Sequence, residues 1–251
     1  MAQTERAVAV VTGGAGGIGS AICRKLAEAG MCVVVGYNRS EQAARLLVHS
    51  LPGRDHSARP APVTDSARLV QLAAEIANDY ERCDVLVNCA GTTRFVRHPD
   101  LDALDDSLID TILATNVRGA FAAVRAFRSL LEKSPLRGGG VVINISSAAA
   151  TLAMGSNIMY CASKAALDNM TRSLARALAP RIRVVSVSPG LVDTEFVKSM
   201  DPAWHDEQVA RTPLGRLATP EEIADAAAAA ITAMTGATGC VLLVDAGRSL
   251  S

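Results

Sequence analysis

The sequence predicts a doubly wound α/β fold, one domain with a parallel sheet of about seven strands and helices on both faces. Three observations carry this. Short, continuous apolar runs rich in β-branched residues recur along the chain. Helical patterns separate them, and a glycine-rich turn joins the first run to the first helix. In order, the strand segments are 7–12 (AVAVVT), 31–37 (MCVVVGY), a weaker one near 58–63 blurred by prolines, 83–91 (CDVLVNCAG), 140–146 (GVVINIS), 182–190 (IRVVSVSPG) and 240–247 (CVLLVDAG). Helical patterns occupy about 17–29, 40–51, 66–81, 103–133, 157–179 and 220–235. No linker, low-complexity tract or long repeat divides the 251 residues, so one domain over 1–251 is expected.

Composition removes several classes of function. Basic and acidic residues balance at 25 each, which gives no electrostatic reason to expect nucleic acid or an acidic membrane surface as partner. Aromatics are 3%, so the core must be built from Ala, Val, Leu and Ile. The six cysteines are scattered without a CxxC pair and read as small hydrophobes in a reducing compartment. No signal peptide is legible in MAQTERAVAVVTGG, and no stretch reaches the roughly 18 apolar residues of a membrane span. A cytoplasmic protein is expected. His49, His56, His98 and His205 show no metal-ligand spacing and read as surface residues, so no metal is expected.

The turn TGGAGGIG (12–19) follows a strand and opens a helix. Gly13, Gly17 and Gly19 permit a tight turn and let backbone N–H groups approach a pyrophosphate at the helix N-terminus. The spacing is G-x-x-x-G-x-G without a following G-K-[ST], which argues against nucleotide hydrolysis.

Further along come NCAG (88–91), Asn116 within ILATNVRGAF, NISS (144–147), YCASK (160–164) and SPGLVDT (188–194). With the glycine turn, in this order and spacing and over essentially the whole chain, they resemble the classical short-chain dehydrogenase/reductase family. The tail RTPLGRLATPEEIAD with GCVLLVDAG is most similar to the branch of β-ketoacyl-acyl carrier protein reductases and sugar or polyol dehydrogenases. The resemblance implies a Rossmann-type fold, a homotetramer, and an NAD(P)-dependent oxidoreductase interconverting a secondary alcohol and a ketone. It implies a catalytic set of Asn116, Ser147, Tyr160 and Lys164. It places cofactor contacts at Gly13, Gly16, Gly17, Ile18, Gly19, Val63, Asn88, Ala90, Gly91, Tyr160, Lys164, Pro189, Gly190, Val192 and Thr194.

Alone, a Tyr and a Lys four residues apart are more often a packed ring and a solvated charge. The chemical reading is that Lys164, on the same helical face, brings an ammonium near Tyr160 and favours phenolate, lowering a pKa near 10. Tyr160 is then the acid/base for the substrate oxygen. Ser147 is assigned to that oxygen by its family separation from Tyr160, thirteen residues, and Ser146 to a structural role. Asn116 is a poor helix former in an apolar helix, satisfied by backbone or water, and by resemblance supports a proton relay to Lys164. Cys161 reads as packing.

The strand ending VVVGYNRSE puts Tyr37 where an NAD enzyme usually has an acid. Asn38, Arg39 and Ser40 follow and suit a 2′-phosphate, so NADP is favoured over NAD. Against this, GGAGG has no basic residue and Glu41 softens the field. Pro62-Val63 replaces the family's Asp-Val pair at the adenine, and Asp65 is not expected to substitute. Specificity is expected from the loop after Ser147 and from a segment around 191–215, where Trp204 belongs equally to a lid or to a surface loop. Candidate substrates are a 3-oxoacyl thioester or a sugar, polyol or cyclic alcohol. Arg137 and Arg181 are thin hints of a docked acyl carrier protein. Epimerisation or dehydration, and a non-catalytic dinucleotide-binding module, are the alternatives in other classes.

Overall fold

The computed structural model describes residues 6–198 and 201–250. Strands β1 (Val8–Thr12), β2 (Cys32–Tyr37), β3 (Ser57–Pro60), β4 (Val85–Asn88), β5 (Gly140–Ile145), β6 (Ile182–Pro189) and β7 (Val241–Val244) form one sheet. Its order is β3-β2-β1-β4-β5-β6-β7, parallel throughout. The chain winds outward from β1 to β3, returns to the centre, and winds the other way from β4 to β7. The reversal leaves a crevice at the carboxyl ends of β1 and β4, where open α/β sheets take ligands.

Burial on both faces explains the uninterrupted apolar runs: β1, β2, β4, β5 and β6 are buried along their whole length. Side chains alternate between two cores. Ala9 and Val11 face α1 (Gly17–Glu28), α2 (Glu41–Ser50) and α10 (Pro220–Thr232), whereas Val8 and Val10 face α3 (Ser66–Tyr80), α5 (Ala120–Leu131) and α7 (Ile158–Leu178). The edge strand β3, Ser-Ala-Arg-Pro, is half exposed and ends in a proline, which is why its sequence signal is weak.

Three expectations are corrected. The single helix expected over 103–133 is α4 (Asp106–Leu113), a π-helical segment Ala114–Gly119, and α5. One extra residue per turn there accommodates two close contacts. Asn116 turns into the loop after β4, and Gly119 lies under Val63, where an added methyl would meet the Val63 Cγ2 at 2.8 Å. Next, the histidines are not uniformly surface groups. His56 Nδ1 accepts from the Val33 N–H at 3.0 Å, beside the β2–β3 ladder, and only His49 of the four is exposed, the others being half-buried. Finally, the segment after β6 is partly helical, with α8 (Glu195–Lys198) and α9 (Pro202–Ala210). Ser199 and Met200, in the expected specificity segment, lie outside the described residues.

Candidate active site

Four strand ends converge on the crevice. Thr12, the last residue of β1, ties it to β4: its Oγ1 donates to the Val87 carbonyl and accepts from the N–H groups of Cys89 and Ala90, each at 3.2 Å. Gly13 turns with φ +65°, and a methyl there would meet the Ala90 Cα at 2.8 Å, so the glycine turn lies directly on NCAG. At Gly19 a methyl would come within 2.9 Å of the Gly14 Cα, so the first turn of α1 also needs glycine. Gly16 precedes α1 in extended conformation with no side-chain cap, and no acid occupies the first turn. The free N–H groups and the helix dipole therefore face the crevice, a cradle that fits a dinucleotide pyrophosphate.

The other expected cofactor positions surround this cradle. Thr194 packs on Gly17, its Cγ2 lying 3.3 Å from where a Gly17 methyl would be. Val192 bridges to Ala218 beside it. The Pro189 carbonyl at the end of β6 accepts from the Ala148 N–H at 2.7 Å, and Gly190 lies against Asp245. Ile18 is part-buried behind the glycine turn. Asn88 donates to Asn144 at 2.9 Å and leaves its own Oδ1 buried without a partner. Asn38, Arg39 and Ser40 are exposed beyond β2, and the Tyr37 ring is buried in the core. Glu41 pairs with Arg45 at 2.7 Å, which offsets the charge expected to weaken the field at Arg39. Asp65 is committed as the N-cap of α3, accepting from the Arg68 N–H at 2.9 Å.

The expected catalytic residues meet at the far side of the crevice. Ser147 follows the end of β5 and stands before the short helix α6 (Ala149–Leu152), its Oγ accepting from the Ala149 N–H at 3.2 Å, and it favours the ionised form of the Tyr160 phenol. Ser146 Oγ instead donates to the Lys164 backbone carbonyl at 3.2 Å, a structural contact. Lys164 is buried, with its Nζ 2.9 Å from the Ile145 carbonyl and 5.6 Å from the centre of the Tyr160 ring. Asn116 accepts from the Thr92 N–H at 2.8 Å and donates to the Thr92 carbonyl and to Ser163 Oγ. Ser163 passes the link on to the Tyr160 carbonyl at 2.7 Å.

The electrostatics differ from expectation. Burial raises the Tyr160 pKa, and the group that lowers it is Ser147, not Lys164. The physical reason is that Lys164 is itself stripped of water: burial pulls its pKa down to about 8, against the opposing influence of Cys89 and Asp168.

Sequence reasoning missed Asn157, which caps α7: its Oδ1 accepts from the Tyr160 N–H at 2.7 Å, and its Nδ2 donates to Thr93 Oγ1 and the Arg94 carbonyl. An Asn directly before a helical pattern was the available signal. The carrier-docking hint at Arg137 and Arg181 is corrected by position. Arg181 immediately precedes β6 and its carbonyl accepts from Gly140 at the start of β5, so both arginines sit at the amino edge of the sheet. The eight residues of β6 put about 25 Å between that edge and the crevice. Among the described residues no cluster of His, Cys, Asp or Glu is arranged to hold a metal, and no helix is long and apolar enough to cross a membrane.

A family model described as enoyl-(acyl carrier protein) reductase matches residues 13–249. A Streptomyces violaceoruber protein assigned as ketoacyl reductase 2 of granaticin polyketide synthase is 38% identical over 251 residues, covering 98% of this chain and 97% of that protein. Galactitol 2-dehydrogenase (L-tagatose-forming) of Cereibacter sphaeroides is 35% identical over 254 residues, covering 99% and 97%. The crystal structure of 3-ketoacyl-(acyl-carrier-protein) reductase from Brucella melitensis complexed with NADH superposes with a TM-score of 0.87 at 27% identity, covering 97% of this chain and 98% of that one. A model that runs from the glycine turn almost to the last residue, and relatives matched over nearly their whole length, place the chain among the classical short-chain dehydrogenases/reductases, oxidoreductases of the alcohol–carbonyl pair that use a nicotinamide dinucleotide.

Proposed function

We propose that the protein reduces a ketone bearing an apolar substituent, such as a 3-oxoacyl thioester, to the secondary alcohol, with NADP as the cofactor. The observation that carries this is Lys164, buried at the Ile145 carbonyl and 5.6 Å from the centre of the Tyr160 ring, with Ser147 at the carboxyl edge of β5 favouring the ionised tyrosine. The dinucleotide, when bound, supplies the hydride. Tyr160 holds the proton that the substrate oxygen receives, and Ser147 donates a hydrogen bond to that oxygen and polarises the carbonyl. Lys164 holds the nicotinamide ribose, and Asn116 anchors the loop of Thr92 beside it. Gly13, Gly16, Gly17, Ile18 and Gly19 cradle the pyrophosphate, with Asn88, Ala90, Gly91, Pro189, Gly190, Val192 and Thr194 around it and Val63 at the adenine. Arg39, flanked by Asn38 and Ser40, is the cation for the 2′-phosphate.

The walls support the apolar substituent. Their polar side chains are already paired: Thr93 with Ser156 and Asn157, Asn157 also with Arg94 and Tyr160, Asn116 with Thr92. The loops after β4 and β5, joined by the bond from the Val96 N–H to the Ser156 carbonyl, carry Phe95, 69% exposed, and Met154, 57% exposed. A polyol held there would bury hydroxyls that find no partner, which costs affinity.

The test is reduced-nicotinamide absorbance with purified protein and a panel of 3-oxoacyl thioesters, apolar ketones, sugars and polyols. Net turnover with the first two classes is expected; turnover confined to polyols overturns the substrate, and none with any class overturns the reaction. For the cofactor, wild type is expected to bind NADP more tightly than NAD, and Arg39→Ala to lose that preference through weaker NADP binding alone. Tighter NAD binding by the wild type overturns it.

A further inference from the structure

Helix α7 docks on the sheet through a polar stripe. Lys164, Asp168 and Thr171 lie at positions i, i+4 and i+7 and are 6%, 5% and 0% exposed. Each meets the sheet: Lys164 at the Ile145 carbonyl of β5, Asp168 at the Ser186 hydroxyl of β6 (2.8 Å), and Thr171 at the Asn144 amide of β5 (2.8 Å). Thr171 is explained by its contact, since a hydroxyl that accepts from an amide is fully used. Asp168 is not. A neutral acceptor would serve Ser186 equally well, and a carboxylate removed from water needs a cation. Two cations lie one turn away along the helix; Arg172 is exposed, whereas Lys164 is as buried as Asp168 and holds one carbonyl.

We infer that Asp168 is a positioning residue for the reaction site, a buried counter-charge that keeps Lys164 an ammonium and holds it at the Ile145 carbonyl. This rests on the reading of Lys164 as part of that site. The groups facing Lys164 are few among the described residues. The end of β4 brings Cys89, α7 brings Tyr160 and Asp168, and β5 brings the Ile145 carbonyl. Burial raises the Cys89 thiol to about 11, so it is neutral near pH 7. Tyr160, raised by burial, is neutral there too. Around Asp168, β6 brings Ser186, which is uncharged. Asp168 is therefore the carboxylate set against the desolvation of Lys164, whose own pKa has been brought down to about 8. Without that charge the lysine loses its proton at a lower pH. The alkaline limb of activity then moves toward neutrality while the acidic side is spared.

The chain has four lysines, so titration of ¹³Cε-labelled lysine by NMR resolves Lys164 without substrate or cofactor. Asp168→Asn keeps the shape and an acceptor for Ser186 but removes the charge. Its Lys164 midpoint is expected to fall by about one pH unit, and the alkaline limb of kcat to fall with it. Ser186→Ala removes the hydrogen bond and keeps the charge, so the midpoint is expected to stay or rise. It also serves as the test if Asp168→Asn does not fold. An unchanged Lys164 midpoint in Asp168→Asn, or a lowered one in Ser186→Ala, overturns the counter-charge. A shifted midpoint with an unshifted activity profile overturns the link to the reaction and shows that the failure lies with the role given to Lys164.

Discussion

Ser147 favours the ionised form of Tyr160, yet the parts proposed for the two residues separate on substitution. Tyr160→Phe keeps the ring and removes the transferable proton, so turnover is expected to fall by about 10²-fold or more with cofactor affinity nearly intact. Single-turnover kinetics beside cofactor titration checks this, and a variant retaining more than about a tenth of wild-type turnover contradicts the acid/base role. Ser147→Ala is expected to be similarly severe. Ser146→Ala removes a bond to the Lys164 carbonyl and is expected to cost about 1 kcal/mol of stability with little loss of turnover. That Tyr160 and Lys164 share a helical face was legible in the sequence because helical period is local, whereas the preference for Ser147 rested on the resemblance to the family. What was not legible is the sign of the electrostatics. Lys164 was expected to depress the tyrosine, but its own desolvation, which depends on β5 and β4 closing over it, leaves that part to Ser147.

Helices α7 and α10 bring the site and the fold their fixed geometry through caps. Asn157 is fully buried and serves both the first turn of α7 and the loop after β4. Asn157→Ala is expected to cost about 2 kcal/mol in urea denaturation, through the lost cap and the unpaired Arg94 carbonyl, and to lower turnover as well. At α10, Thr219 and Glu222 form a capping box, and Arg216 binds Glu222 at 2.7 and 2.6 Å. Hydrogen bonds from Arg216 and the Thr219 N–H hold the Glu222 carboxyl at about 2, below its ordinary 4.5. A depressed carboxylate pKa gives stability that is present above 4.5 and lost as pH falls toward about 2. Glu222→Gln is thus expected to be less stable than wild type by about 1 kcal/mol at pH 6, the pair being partly exposed, with the gap closing between those two values. Denaturation curves across that range check the sign.

For the whole molecule we propose a homo-oligomer, a tetramer, from the helical stretch that begins at α4. Ile112, Val124, Phe127, Leu130 and Leu131 are buried against the rest of the chain, which accounts for one stripe. Phe121 is 44% exposed, and Leu108, Ile109, Leu113 and Val117 are half-buried, an apolar surplus the chain's own sheet does not cover. Sedimentation at micromolar concentration is expected to show four times the chain mass, and Phe121→Glu to reduce it. A stable wild-type monomer contradicts the proposal.

The sequence by itself determined the strand order of appearance, the parallel sheet and the glycine turn, because continuous apolar runs and a strand–glycine–helix junction are local patterns. It also determined the Tyr160–Lys164 face, since helical period is local too. Only the tertiary structure decided the π-helical segment at Asn116, because that depends on Val63 and Thr92 approaching from elsewhere in the chain. It alone placed Arg137 and Arg181 at the far edge of the sheet, a matter of which strand end they precede. It alone turned Lys164, Asp168 and Thr171 of α7 toward β5 and β6. Burial and the charge left after burial are sums over distant neighbours, and no stretch of sequence contains them.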